Sequence, residues 1–372
     1  MGIMNSRLSQ YLTLIYCSKL FSLSLASFLP VCEQGKNCLL PNCFCSTFYH
    51  NLFDPEDIPQ IVYFGFDDGA KPGAEAYLDR LFGHERKNPN KCPISVTLYV
   101  SGDNHDYSGV NRYSRRGFEI AIKSTHQDID PSTESKIEVK RQKANIIKLS
   151  NVTEGRIHGW RSPYQKTVGD YQIRTLQNND FTYDVTLGYT RHKMADSNPW
   201  PFTLDYGWTL PCNNHPCPRN KHPGFWVVPV NAMRDYGDWG SCEFVDSCVN
   251  KPLTENKTYN YIMDNFRSHY HGNRAPFGIH IHESLFTEKT VFLNGLDKAI
   301  QDLLKYEDVY IVSINQTLEW MKRPTKLRSI DSFRPWSCSE SDGGISLPGV
   351  VIFLIIVVMI SIYVRIMTKL FT

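Results

Sequence analysis

Two adjacent carboxylates, Asp67 and Asp68, stand between the apolar run Ile61–Phe66 and Gly69. If that run is a strand, the pair leaves its C-terminal end and faces the mouth of an α/β fold, where such folds carry their chemistry. One carboxylate can then bind a metal while the other takes a proton from water. Asp-Asp-Gly is also an ordinary turn, and these residues alone do not choose between the two. Other chemistries are excluded more firmly. The formal charge is +2, with no lysine–arginine stripe and no Gly-rich phosphate loop, so nothing points to nucleic acid. Aromatic residues make up 13% of the chain, which suits a sugar-stacking surface or simply a core.

The elements that must position the carboxylates follow from periodicity. Strand-length apolar runs at Ile61–Phe66, Ile94–Val100, Phe118–Ile122, Phe277–Ile281 and Val309–Val312 alternate with helical patterns. The helices are expected at Ala74–Phe82, after Asp130-Pro131 (with Ile137, Ile147 and Leu149), at Val291–Leu304 and at Thr317–Met321. Such alternation predicts a largely parallel sheet or barrel. From about Asn198 to Pro252 the rhythm breaks into a segment rich in Pro, Gly, Trp and Cys, which reads as a disulfide-stapled insertion at one mouth.

Further short motifs follow the first in a fixed order. They are Asn88-Pro89-Asn90-Lys91-Cys92-Pro93-Ile94, Glu119-Ile120-Ala121, Arg161-Ser162-Pro163-Tyr164 and Pro199-Trp200-Pro201-Phe202 running to Asp205-Tyr206. After these come Phe225-Trp226-Val227-Val228-Pro229 and Asn273-Arg274-Ala275-Pro276-Phe277 with His282. The ordered set resembles the chitin deacetylase-like branch of the polysaccharide deacetylases, carbohydrate esterase family four, over roughly Pro59–Pro324. The resemblance implies a distorted (β/α) barrel that removes acetyl groups from N-acetylglucosamine polymers with zinc or a similar divalent metal. By position it implies Asp67 as catalytic base, Asp68 as metal ligand, Arg161 as the partner of the base and His282 as general acid. Tyr164, Trp200, Tyr206 and Trp226 fall in segments that would line the sugar groove.

One motif departs. Where the family has two histidines one helical turn apart, this chain reads Lys123-Ser124-Thr125-His126-Gln127. Lys123 stands in place of the first ligand, and His126 is one residue early for the second. A protonated lysine cannot ligate, and it would pair with Asp68 instead. Even if His126 reaches the site, Asp68 and His126 alone are too few for a zinc centre. His105, His158 and His280 are the candidates for a substitute. Gly65 also departs, standing where Thr or a similar residue is usual.

The remaining signals concern compartment. Residues 1–30, with Arg7 and an apolar stretch broken by Lys19, read as a signal peptide, the alternative being an uncleaved anchor. Leu347–Val364 carries no charge and as a helix would span about 27 Å, enough for a membrane. Arg365 and Lys369 follow it, which orients a cytoplasmic tail (365–372) and an extracellular N-terminal domain; a lipid-anchor signal is the runner-up. The expected organisation is thus a Cys-rich lead-in (31–46), a deacetylase-like domain (47–325), a polar stalk (326–346), the transmembrane helix (347–364) and the tail. Outside the leader ten cysteines remain, an even set that reads as disulfides rather than a zinc knuckle at Cys38, Cys43 and Cys45. Asn151, Asn256 and Asn315 head glycosylation sequons. Three functional readings follow: a surface-tethered binder of chitin with impaired deacetylation, an active deacetylase with non-standard ligands, and an adhesive ectodomain without a sugar site.

Overall fold

The computed structural model describes residues 31–101, 106–124, 133–288 and 290–338. The signal peptide, His105, His126, the membrane span and the tail lie outside them. Among the described residues no helix is long and apolar enough to cross a membrane. The run at Ile61–Phe66 is β1 (Gln60–Asp67), buried along its whole length, as a parallel strand covered on both faces must be. With it come β2 (Thr97–Val100), β3 (Glu119–Lys123), β4 (Gly159–Arg161), β5 (Tyr183–Asp184), β6 (Phe202–Thr203), β7 (Trp226–Val227), β8 (Phe277–His282) and β9 (Val309–Ile311). Their order is β8-β1-β2-β3-β4-β5-β7-β6, with β9 also paired to the first residues of β1. Only the β7–β6 pairing is antiparallel. Because β8 and β6 do not pair with each other, the expected distorted (β/α) barrel is an α/β half-barrel. The sheet curls strongly enough for Arg161 on β4 to touch Asp67 on β1 across two intervening strands.

Helices cover the sheet: α1 (Glu75–Phe82), α2 (Tyr107–Arg115), α3 (Thr133–Ser150), α4 (Asp170–Gln177), α5 (Glu255–Tyr270), α6 (Ser284–Glu288), α7 (Thr290–Leu303) and α8 (Ile314–Lys322). On α7, Phe292, Leu296, Ala299, Ile300 and Leu303 form the buried stripe, the spacing of a helix lying on a core. A capping box sets the start of α8: Ser313 Oγ accepts the Gln316 amide, and the Gln316 side chain accepts the Ser313 amide. Glu119 fastens the layers together. Its buried carboxylate accepts the Thr97 hydroxyl, the Tyr183 hydroxyl and the Asn315 amide.

Three segments are more closely tied to the domain than their composition suggests. The lead-in is stapled by Cys32–Cys45 and Cys38–Cys43. It is not a separate module, because Phe44 exchanges hydrogen bonds with Thr203 and so covers the edge strand β6. The 198–252 segment is more than an insertion. It supplies β6 and β7 to the sheet, and carries the disulfides Cys212–Cys217 and Cys242–Cys248. Cys92 and Cys338 are disulfide-bonded too. The first part of the expected stalk is folded: Leu327–Ser332 and Arg334–Trp336 are 3₁₀ turns that bury Ile330, Phe333 and Trp336. Those residues recur every three positions, the 3₁₀ period, inside an otherwise polar stretch. The compact unit therefore extends to Trp336.

Two side chains make the fold testable. Asn88 acts as a strand substitute for β9, donating to the Ile311 carbonyl at 3.0 Å and accepting its amide at 2.7 Å, fully inside the core. Asn88→Ala leaves that amide unpaired and should cost about 1–3 kcal/mol in urea unfolding. Asp184 is buried, and burial pushes its carboxyl up to about 6. A raised carboxylate pKa favours the protonated folded state, so stability from this group falls as pH rises from about 4 to about 6 and then levels off. Unfolding of Asp184→Asn against wild type should show the variant gaining on the order of 2–3 kcal/mol across that window. A parallel pair of pH profiles would refute it.

Candidate functional site

The site is a set of strand ends. In the parallel registers Asp67 lies opposite His282 on one side and Tyr99 on the other, while Lys123 lies opposite Arg161. Asp67, Lys123, Arg161 and His282 are the last residues of β1, β3, β4 and β8, so the curl of the sheet gathers them at one mouth. Asp68, the next residue, takes a left-handed conformation (φ 62°). In an extended strand neighbouring side chains point to opposite faces; this turn lets both carboxylates address one cation.

That cation is Lys123. Its ammonium stands 3.2 Å from Asp68 Oδ2 and 3.4 Å from Asp67 Oδ2. Lys71 adds a second positive charge 3.6 Å from Asp68, and Ser101 Oγ donates to its other oxygen. Arg161 holds the remaining Asp67 oxygen at 2.5 Å, while its Nε donates to the Val185 carbonyl. The guanidinium lies 3.9 Å from the Tyr99 ring centre. Burial is the largest single influence on Arg161 and pushes its pKa down, but the Asp67 charge and hydrogen bond, with Tyr99 and Tyr63, together outweigh it, so the pKa is raised. Arg161 Nη2 is 2.6 Å from His280 Nδ1. Arginine only donates, so His280 accepts there and is the neutral Nε2–H tautomer. Burial and the neighbouring Arg161 hold its pKa well below the usual value, which agrees.

His282 is gripped by Asp246, which accepts both its Nδ1 at 2.8 Å and its backbone amide at 3.3 Å. Although burial pushes Asp246 up, the His282 hydrogen bond and charge keep its pKa below the ordinary carboxylate value. Phe244 stacks on the imidazole at 4.5 Å between centres. Nε2 is thereby turned toward Asp67, 3.8 Å away. The cleft above these groups has a volume of about 630 Å³ and is walled by Ser101, Tyr164, Glu243 and Phe244.

Of the four expected groove residues only Tyr164 joins this cleft, exposed and left-handed at φ 52°. Trp200 and Trp226 are core residues, at 0% and 1% exposure, packed on His50 and Trp320 and on Phe44 respectively. Tyr206 lies at a separate depression beside Cys32 and Cys45. Asp246, Phe244 and Glu243 were not anticipated. They lie in the Cys-rich segment, and the two acidic residues between Cys242 and Cys248, Glu243 and Asp246, were the available signal.

Among the described residues, the donors gathered at Asp67 and Asp68 do not make a divalent-metal set; His105 and His126 lie outside them. A lysine ammonium sits against both carboxylates, and lysine offers no lone pair while protonated. Neither described histidine substitutes for a ligand: His158 precedes β4 at the strand end opposite Arg161, and His280 is buried beneath it. Among the described residues, the only other cluster of metal-binding types is Cys32, Cys38 and Cys43, which are in disulfides.

An α/β half-barrel with its polar groups at the strand ends matches the polysaccharide deacetylase fold. The chain is 31% identical to chitin deacetylase 8 of Bombyx mori, over 90% of this chain and 89% of that one. It is 30% identical to chitin deacetylase 1 of the same species, over 82% of this chain and 59% of the other. The chain thus spans somewhat over half the length of the latter. Among solved structures it is similar to a putative polysaccharide deacetylase from Mycobacterium smegmatis (16% identity, TM-score 0.48, covering 78% and 97%). It is also similar to the Xyl-CE4 domain of a xylanase from the Trinervitermes trinervoides hindgut metagenome (16%, TM-score 0.41, 71% and 91%). No family model matches. The chain belongs to the chitin deacetylase family of the polysaccharide deacetylases.

The departure at Gly65 now has a physical reason. A β-carbon there would stand 2.8 Å from His280 Nδ1, 3.2 Å from Tyr99 and 3.3 Å from Arg161 Nη2. Only glycine leaves room for this buried trio. Gly65→Ala should cost about 1–3 kcal/mol by overpacking, read by urea unfolding. An unchanged midpoint would show that His280 yields freely.

Proposed function

We propose that this protein holds N-acetylglucosamine polymers in the cleft without performing metal-dependent deacetylation. The observation that carries the reading is the Lys123 ammonium seated against Asp67 and Asp68. It neutralises the carboxylates and repels a divalent ion from the place where activated water would form. What remains is Asp67, Arg161 and the Asp246-held His282. Acid–base assistance of this kind is worth about 10²–10⁴-fold, far short of amide hydrolysis. The open polar cleft and its Tyr164 and Phe244 rings support retained sugar binding.

The cellular setting belongs to the same proposal. Paired cysteines suit an oxidising compartment, and the uncharged 347–364 segment suits a single membrane span with the domain outside. Asn151 and Asn256 are exposed and available for glycans.

Purified protein should carry no stoichiometric zinc, bind chitin oligomers equally with and without chelator, and release no acetate from them. Acetate release that a chelator abolishes and zinc restores would establish an active deacetylase instead. Absence of any oligomer binding would leave an adhesive or structural domain. Rebuilding the motif with Lys123→His and Gln127→His together should create stoichiometric metal binding if ligand chemistry is the only lesion.

A further inference from the structure

The carboxylates around the cleft are matched by cations, with one exception. Asp67 pairs with Arg161 and Lys123, Asp68 with Lys123 and Lys71, and Asp246 with His282. Glu243 walls the same cleft and is half-buried. Among the described residues no cation pairs with it: burial pushes its pKa up, and the Gln165 side chain acts the other way without cancelling the rise. The carboxylate sits in a packed setting. Glu243 follows Cys242, whose disulfide to Cys248 closes the loop. A β-carbon at Gly188 would run into Glu243 Oε1 and would stand 3.5 Å from Gln165 Nε2. Glycine at 188 thus makes room for the carboxylate and the amide together. Tyr164 and Gln165, both left-handed at φ 52° and 53°, belong to the same cleft wall.

What such a group suits is a cation on the ligand. A carboxylate already partly out of water and without a counter-charge gains more from an arriving ammonium than a solvated one does. The charge-assisted hydrogen bond adds direction. Along the polymer proposed for this cleft, an acetylated ring offers a neutral amide, whereas a ring that has lost its acetyl group offers an ammonium at the same position. Non-specific attraction does not explain such a preference, because the chain itself carries a formal charge of +2.

We propose that Glu243 makes the cleft selective for partly deacetylated polymer, by pairing with the ammonium of a glucosamine unit. This rests on the reading of the cleft as a site for N-acetylglucosamine polymers. It also places the protein downstream of a reaction that it is not proposed to perform: N-deacetylation by another catalyst must supply the ligand. The test measures binding of the N-acetylglucosamine tetramer and the glucosamine tetramer to the intact chain in detergent, at mildly acidic pH where the amines are protonated. Wild type should prefer the glucosamine tetramer about tenfold. Glu243→Gln should abolish the preference, and Glu243→Asp should keep part of it. A second readout needs no variant: the wild-type preference should shrink as salt is raised. If wild type binds both tetramers equally, or favours the acetylated one, the role of Glu243 is overturned while the cleft reading stands. A preference that survives in folded Glu243→Gln, or that ignores salt, overturns it as well. If wild type binds neither tetramer, the cleft reading fails and takes this one with it.

Discussion

The mouth of the half-barrel is organised by the charge balance around Asp67. Arg161 is 1% exposed, and a guanidinium so deep in protein is tolerable only with a partner that neutralises it. Asp67 is that partner on one oxygen, and its other oxygen faces Lys123 and His282. The pairing reaches from β4 to β1, so it also fixes the curl of the sheet. Removing either member of a buried pair typically costs about 3–5 kcal/mol, because the other is left uncompensated. Asp67 and Arg161 therefore have a structural reason to persist that is independent of catalysis. Their presence in a sequence is weak evidence for turnover.

The elements legible in the sequence were those whose burial is long enough to write a pattern. β1 carries eight consecutive buried residues, and α7 a full apolar stripe. By contrast β5, β6 and β7 are two residues each, too short for any period to register, and tertiary pairing alone makes them strands. The same holds at the end of the domain. Ile330, Phe333 and Trp336 are spaced for a 3₁₀ turn, which neither the helical nor the strand template detects. Trp200 and Trp226 were misread for a related reason: a tryptophan near a functional motif looks alike in sequence whether it faces a groove or the core, and here both fill the core.

Asp67, Lys123, Arg161 and His282 converge because a parallel sheet brings its strand ends together whatever the sequence distance between them. Motif order therefore sufficed to find them. Asp246 and Phe244 did not announce themselves, because they reach His282 from an irregular, disulfide-closed loop that has no period to read. Their role is to fix the imidazole: the carboxylate sets which nitrogen faces outward, and the stacked ring sets its plane.

Lys123 changes the character of this site without dismantling it. The Lys123 ammonium pairs with both Asp67 and Asp68, whereas a divalent ion is held only when its ligands are complete. Beside this pairing stand a cleft with polar walls and a histidine oriented by Asp246. An ammonium is coordinatively saturated and offers no open position for water, which is what the proposed reading of the site rests on. Gly65 belongs to the same rearrangement. Its missing side chain makes room for His280, which gives the Arg161 guanidinium an acceptor and so completes the buried charge network from below. The two departures from the family pattern are thus coupled through Asp67: one supplies its cation from above the strand ends, and the other secures the cation beneath.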